Sequence, residues 1–219
     1  MMRNIRLFRF SDNSSYTRGF TWAASIRPRS EIFRRVCPEF GIVAQYPSGK
    51  FDVVVEGGNR YPDILGCGAY PFLIVSESVV NAWHDAGILC FQYYIVNVAQ
   101  VRSKSKQLNE MIPPHYYRIE IDGRCEIDLG ASGLEVVRYA PECEYLATNP
   151  SLATGFQMVA GSWDGSPLFR DPLHYPRVSF CTQLVLDLAR TYRFTNFRFE
   201  PMEGPYDHGS KGIDYLGRS

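Results

Sequence analysis

Two segments of the chain, 106 residues apart, carry the same pattern of residue types without a gap. Ser76 corresponds to Thr182, and five later pairs keep the offset: Val79 with Val185, Ala86 with Tyr192, Ile88 with Phe194, Phe91 with Phe197 and Tyr93 with Phe199. Each copy has an apolar strand, a hydroxyl residue suited to a helix N-cap, an amphipathic helix of about ten residues and an aromatic strand. The pattern predicts two similar β-α-β units, which arose by duplication or share only a common local architecture.

Other strands are predicted from alternating or short apolar stretches. Residues 5–10 alternate apolar and polar, residues 51–55 are mostly apolar, and residues 116–121 alternate again. Asp122-Gly123 is typical of a tight hairpin turn, here into a strand at 125–129. The predicted fold class is α+β, with mainly antiparallel or mixed sheets, the two β-α-β units and few short helices.

Length and composition bound the organisation of the chain. A chain of 219 residues with 45% hydrophobic residues fits one large domain or two small ones. We expect a single domain over 1–219; the alternative is two pseudo-repeated halves, about 1–106 and 107–203, with a polar tail at 204–219. We expect no targeting segment, because the start of the sequence lacks a long apolar run, and no stretch approaches the roughly 18–20 apolar residues that cross a bilayer. It is therefore expected to be cytoplasmic, with no membrane association.

Charge is balanced overall but unevenly placed. Residues 1–36 carry eight Arg and two acids, a net +6, whereas residues 117–150 carry three Arg and seven acids, a net −4. A net charge of zero gives no reason to expect nucleic acid as a direct partner. The acidic region is either a solvated face or a binding surface for a basic protein. Its candidate partner-binding residues are Glu120, Asp122, Glu126, Asp128, Glu135, Glu142 and Glu144.

Catalytic motifs do not stand out. The chain has no Gly-rich phosphate loop followed by Lys, no G-x-S-x-G elbow and no H-E-x-x-H. Cys181 follows His174 by seven residues, but a Cys at the end of an apolar strand is usually structural. Asp207, His208 and Asp214 lie in the polar tail. We therefore predict no catalytic residues and no cofactor; an unrecognised hydrolase-like enzyme and a regulatory scaffold are the alternatives.

Several stretches resemble one known family. They are residues 36–41, 71–87, 116–118, 182–200 and, most clearly, Gly161-Ser162-Trp163-Asp164-Gly165-Ser166-Pro167-Leu168-Phe169-Arg170. Together they resemble the Myxococcus-type double-CXXCG motif family, which includes immunity proteins of swarming-inhibition toxin systems. The resemblance implies a protein that binds a cognate toxin, such as a nuclease, and blocks its active site.

This chain departs from the motif that names the family. Two C-x-x-C-G motifs could together hold one zinc ion through four thiolates. Here the first is Cys37-Pro38-Glu39-Phe40-Gly41, with Phe40 at the position of the second thiolate, and the second is reduced to Cys143-Glu144-Tyr145-Leu146. Two thiolates do not make a structural zinc site, so we predict no metal. The sequence leaves open whether Cys37 and Cys143 are the remnant of one.

Overall fold

The computed structural model divides the chain into two compact units. It describes residues 5–12, 19–27, 32–36, 43–47, 51–67, 73–140, 145–149, 155–172 and 178–203. The first unit comprises Met1–Ser11, Ile121–Thr191 and Arg198–Ser219, and the second comprises Asp12–Glu120 and Tyr192–Phe197. Both units are discontinuous in sequence. The single domain expected from chain length stays a prediction.

Strands dominate the described part of the chain. In chain order the elements are β1 (Leu7–Asp12), β2 (Trp22–Arg27), β3 (Ile32–Val36), β4 (Val43–Pro47), β5 (Phe51–Glu56), β6 (Ile64–Cys67), β7 (Leu73–Ser76), α1 (Glu77–Asp85), β8 (Phe91–Arg102), α2 (Lys106–Glu110), β9 (Tyr116–Ile121), β10 (Glu135–Ala140), β11 (Tyr145–Asn149), β12 (Leu168–Phe169), β13 (Ser179–Thr182), α3 (Gln183–Thr191) and β14 (Phe197–Pro201). Antiparallel and parallel strand pairs both occur, and the helices are few and short, which confirms the predicted α+β class. Among the described residues, no helix has the length and apolar character needed to cross a membrane.

The second unit is built on a closed barrel of six strands. Their order is β2-β5-β8-β9-β7-β6, and a parallel pairing of β2 with β6 closes the ring. Small, β-branched and aromatic side chains suit a pleated surface with a filled interior. One buried cluster comprises Ala23, Val53, Val55, Leu65, Ile74, Val96 and Tyr116. A separate two-stranded sheet, β3-β4, belongs to the same unit.

Helix α1 ends in a Schellman motif, as the glycine at its C-terminus predicts. Gly87 has a left-handed φ of +75°, which costs a glycine little. Its N–H donates to the His84 carbonyl at 2.9 Å, and the Ile88 N–H donates to the Trp83 carbonyl at 2.9 Å. Both bonds satisfy carbonyls that the end of the helix would otherwise leave unpaired.

The start of α1 is organised by Asp63 rather than by a cap. Ser76 occupies the predicted N-cap position, but its side chain makes no capping bond. Its hydroxyl donates to the Asp63 carboxylate at 3.0 Å, and Ser78 donates to the same oxygen at 3.2 Å. The other carboxylate oxygen accepts from the N–H and the hydroxyl of Thr195, both at 2.8 Å. Asp63 therefore joins the helix start to the segment Tyr192–Phe197 within the second unit.

The first unit is built on a four-stranded sheet of order β12-β13-β1-β14. Strand β1 pairs antiparallel with β13, and β10 and β11 form a separate two-stranded sheet. Aromatic rings fill the core. Phe169 stacks on Phe180 with ring centroids 5.6 Å apart, and Phe156 meets Phe180 edge-on at 5.4 Å. Helix α3 buries Val185, Leu186 and Ala189.

The sequence repeat is also a structural repeat. Strands β7 and β13, helices α1 and α3, and the starts of β8 and β14 have bounds that differ by 106 residues throughout. Arg193 lies 106 residues after Gly87 and also adopts a left-handed φ, +56°. Ile88 and Phe194, the next pair, are both buried. The two predicted β-α-β units are therefore present, and they share even the backbone turn that ends each helix.

A third strand completes each copy of the repeat. In the barrel, β9 lies between β7 and β8; in the four-stranded sheet, β1 lies between β13 and β14. Arg118 of β9 stands opposite Ile74, and Arg9 of β1 stands opposite Phe180, the counterpart of Ile74. Both arginines are buried. In the chain, the central strand β9 follows its β-α-β unit, whereas the central strand β1 precedes its own. The two copies therefore share the order of strands within the sheet and differ in their order along the chain.

The buried arginines have counterpart partners. Arg118 lies over the Tyr94 ring, 4.2 Å from its centroid, and Arg9 forms an ion pair with Glu200 at 2.7 Å. Tyr94 and Glu200 are themselves 106 residues apart. The same position therefore contacts the arginine with a carboxylate in one unit and with an aromatic face in the other.

The predicted hairpin at Asp122-Gly123 is wrong. Strand β9 ends at Ile121, and the segment that follows forms isolated bridges at Arg124 and Ile127 instead of a strand. A Cβ on Gly123 would lie 2.0 Å from the Leu168 carbonyl oxygen. Glycine is needed here because another backbone passes closely, not because the chain turns back.

Candidate partner-binding surface

The segment after β9 exposes its charged residues at alternate positions. Residues 121, 123, 125 and 127 are buried, and the residues between them are exposed. In an extended chain, alternate side chains point to opposite sides. Asp122, Glu126 and Asp128 therefore lie on the outward side of the first unit, with Arg124 among them. We call these three carboxylates the acidic row; with Arg124 the four residues carry a net charge of −2.

Side chains of the Gly161–Ser166 turn hold this segment in place. Ser162 Oγ accepts from the Glu126 N–H at 3.0 Å and donates to the Glu126 carbonyl at 3.2 Å. Asp164 accepts from the Arg124 N–H at 2.8 Å and from the Ser166 N–H at 2.9 Å. The segment that carries the acidic row is therefore fixed by the Gly161–Ser166 turn.

The turn is itself anchored in the core of the first unit. Trp163 Nε1 donates to the Ser166 carbonyl at 3.1 Å, and its ring lies 5.4 Å from that of Phe169. An aromatic side chain with one satisfied polar atom suits such a half-buried position. The turn that holds the acidic row is therefore itself held by packing against the core.

Two buried groups fix the inward side of the segment. Asp171 accepts from the Ile127 N–H at 2.7 Å and is almost completely buried. Burial raises the pKa of Cys125 to about 12, and the charges of Asp171 and Asp164 add to the effect. Cys125 therefore stays a neutral, buried thiol of the core.

The carboxylates of the row are not equivalent. Asp128 accepts from the Ala131 N–H at 2.9 Å through its side chain, and its carbonyl accepts from the Ser132 N–H at 2.9 Å. The carboxylate and the carbonyl of Asp128 thus cap the turn that follows, so Asp128 shapes the end of the segment. Glu126 is bonded to Ser162 through its backbone, and its side chain is exposed.

The other predicted partner-binding residues are placed elsewhere. Glu120 belongs to the second unit and pairs with Arg118 at 3.5 Å. Glu135 is exposed at the start of β10. Glu142 and Glu144 lie outside the described residues, as do Cys37 and Cys143. The structure thus gathers Asp122, Glu126 and Asp128 on one segment.

Sequence reasoning missed the supporting residues, Ser162, Asp164 and Asp171. The signal that could have found the first two is their position between glycines, because Ser and Asp side chains in such turns bond to nearby backbone N–H groups. Asp171 has no comparable local signal, since its partner Ile127 lies 44 residues earlier in the chain.

Cys181, the nucleophile of the hydrolase alternative, is a core residue. Its side chain is 0% exposed, and burial raises the pKa of its thiol well above the ordinary value. A reactive cysteine needs an accessible thiolate. His174, its suggested partner, and the cluster of Asp207, His208 and Asp214 lie outside the described residues. Cys181 is therefore not a suitable nucleophile for the hydrolase alternative.

Comparison with protein-family models finds no match to the chain, and comparison with curated proteins also finds none.

Proposed function

We propose that this protein binds a cognate bacterial toxin and neutralises it by covering the toxin's active site. The observation that carries the proposal is the acidic row, exposed on a segment that side chains fix from behind. The resemblance to immunity proteins supplies the biological setting. A protein that acts in this way needs no catalytic residues and no cofactor.

The chemistry of the row indicates the kind of toxin surface that it fits. A nuclease must neutralise phosphates, so its substrate surface is rich in Lys and Arg. Carboxylates that face such a surface accelerate encounter and fix the orientation of the complex. A nuclease toxin is therefore the partner that the acidic row favours.

Rigidity strengthens the proposal. Binding costs free energy when side chains and loops must become ordered at the interface. The bonds from Ser162, Asp164 and Asp171 order the segment before any partner arrives. A fixed row of charges can therefore bind tightly with few contacts.

Coexpression tests the proposal. The chain is expressed beside each neighbouring open reading frame, survival is scored, and affinity for any toxin that it neutralises is measured with purified proteins. We expect one neighbour to kill cells when alone, and this protein to rescue them and co-purify with it. No toxic neighbour and no co-purification would contradict the proposal.

Charge reversal then tests the surface. Asp122→Lys with Glu126→Lys should raise Kd at least tenfold, which is about 1.4 kcal/mol. The matched control is Glu110→Lys in α2 of the second unit, an exposed acid whose pair with Lys106 spans 4.0 Å and is worth little. Equal affinity of the double variant and the control would exclude the acidic row as the binding surface.

A further inference from the structure

An exposed aromatic cluster lies on the second unit, outside the barrel interior. The rings of Tyr93 and Tyr117 meet edge-on with centroids 5.3 Å apart, and His84 lies 5.5 Å from Tyr93. Tyr93 is 46% exposed and Ile95, two residues along the same face of β8, is 49% exposed. We call His84, Tyr93, Ile95 and Tyr117 the tyrosine patch.

The structural repeat shows that this exposure is not a general property of the fold. Phe199 is the counterpart of Tyr93, is 1% exposed and stacks on Phe10 with ring centroids 6.2 Å apart. Phe8, which pairs with Cys181 as Tyr117 pairs with Val75, is also buried. The first unit therefore has buried phenylalanines where the second has tyrosines at the surface. Tyrosine suits a surface that is dry on one side of the ring and polar at its tip.

The Glu77 carboxylate borders the tyrosine patch, and residues 61–101 supply no Lys or Arg to it. The Tyr117 hydroxyl donates to the exposed Glu77 carboxylate at 3.2 Å. Residues 61–101, which include α1 and most of β8, contain three acids and no Lys or Arg. Strand β9 contributes Arg118, but its side chain is only 4% exposed and lies over Tyr94. The exposed ring faces therefore meet no cation from these elements.

We infer that the tyrosine patch is a docking surface for an arginine side chain presented by a partner protein. A guanidinium is planar, stacks on an aromatic face and can donate two parallel hydrogen bonds to one carboxylate. The Tyr93 ring of the patch and the bordering Glu77 carboxylate, both in contact with Tyr117, offer the two components, beside an apolar surface at Ile95 for the methylene stem. The inference goes beyond the proposed function, because it concerns a different unit and does not depend on what the partner does.

An NMR titration tests the inference with defined peptides. The protein is labelled on its tyrosine rings and titrated with a capped nonapeptide of three Gly-Ser-Arg repeats. We expect saturable shifts of the Tyr93 and Tyr117 rings. The same peptide with citrulline in place of arginine keeps the shape without the charge, and should bind at least about threefold more weakly, the scale of one exposed cation–π contact. Equal shifts with both peptides would overturn the inference.

Matched variants separate an aromatic contact from a merely apolar one. Tyr93→Phe keeps the ring and should leave the peptide affinity within about twofold, whereas Tyr93→Leu should weaken it about threefold or more, now read from Tyr117. Glu77→Gln should weaken it by a similar factor through loss of the ion pair. Glu126→Lys, in the acidic row, should leave the Tyr93 shifts unchanged. Equal binding by the Leu and Phe variants would refute arginine recognition by the ring.

Discussion

Removing the Asp164 carboxylate should loosen the segment that carries the acidic row. Asp164→Ala deletes two accepted hydrogen bonds, from the N–H groups of Arg124 and Ser166. Because Asp164 is exposed, we assign each bond about 0.7 kcal/mol, near the low end of the range for hydrogen bonds in proteins. The sum, about 1.4 kcal/mol, corresponds to a tenfold increase in the fraction of molecules in which the segment has opened away from the turn.

Amide hydrogen exchange measures this opening directly. The informative probes are Glu126 and Ile127, whose N–H groups bond to Ser162 and Asp171 and not to the deleted carboxylate. If the segment opens as one unit, both amides should exchange about tenfold faster in Asp164→Ala. Glu126→Gln is the control, since it removes a charge from the row and keeps every backbone bond. Unchanged protection at both amides would refute the reasoning that the turn holds the segment.

The same contact gives a pH dependence. Burial is the largest effect on Asp164 and raises its pKa, but hydrogen bonds with Ser166 and Arg124 outweigh it, so the pKa lies below the ordinary value. A lowered folded-state pKa contributes stability that is complete above the unfolded pKa of about 3.9 and is lost as pH falls through the folded value. Protection of Glu126, corrected for intrinsic exchange, should be constant from pH 7 to 5 and fall below about pH 4. Asp164→Asn should abolish the part of this fall that Asp164 causes.

Three further predictions concern the scaffold and are measured by urea denaturation. Asp63→Ala should lower the free energy of unfolding by about 2–3 kcal/mol, because it leaves the Thr195 N–H without its acceptor; a loss below about 0.5 kcal/mol would contradict the joining role. Arg193→Gly should raise the free energy of unfolding by about 1 kcal/mol, because glycine adopts a left-handed φ without strain. Gly87→Ala should lower the free energy of unfolding by about as much for the opposite reason. A loss of stability in Arg193→Gly would contradict this account. Glu200→Gln should lower the free energy of unfolding by about 3 kcal/mol, because it removes the carboxylate that pairs with the buried Arg9, and a near-neutral effect would show that the pair contributes little.

The sequence predicted those elements of the fold whose residue pattern spans only a few consecutive residues. Both copies of the β-α-β unit were predicted, because the strand and helix periods act over a few residues. The central strands could not be assigned to them. Whether β1 or β9 completes a copy depends on pairing with residues far away in the chain, for which no local signal exists.

Arg9 illustrates the same limit within one strand. The alternation of residues 5–10 predicted a half-buried strand, yet Phe8, Arg9 and Phe10 are all buried. The reason is an ion pair with Glu200, 191 residues later, which makes burial of the arginine tolerable.

The sequence predicted which acidic residues the candidate surface contains, but it did not predict which other residues hold them in place. The exposure of Asp122, Glu126, Asp128 and Glu135 follows from the general preference of isolated carboxylates for water. Ser162 and Asp164 can hold the segment only because the Gly161–Ser166 turn lies beside it. The sequence did not predict this neighbour, since Asp122-Gly123 indicated a hairpin instead.

The position of β1 has a consequence for synthesis of the protein. Residues 51–121 supply five of the six barrel strands, and with β2 the whole ring has been translated well before β13 begins. Strand β1, in contrast, precedes every barrel strand in the chain, whereas its neighbours β13 and β14 follow all of them. Domains generally fold in the order in which they leave the ribosome. The strand Leu7–Asp12 is therefore translated long before its sheet partners and until then has an open strand edge of the kind that promotes aggregation.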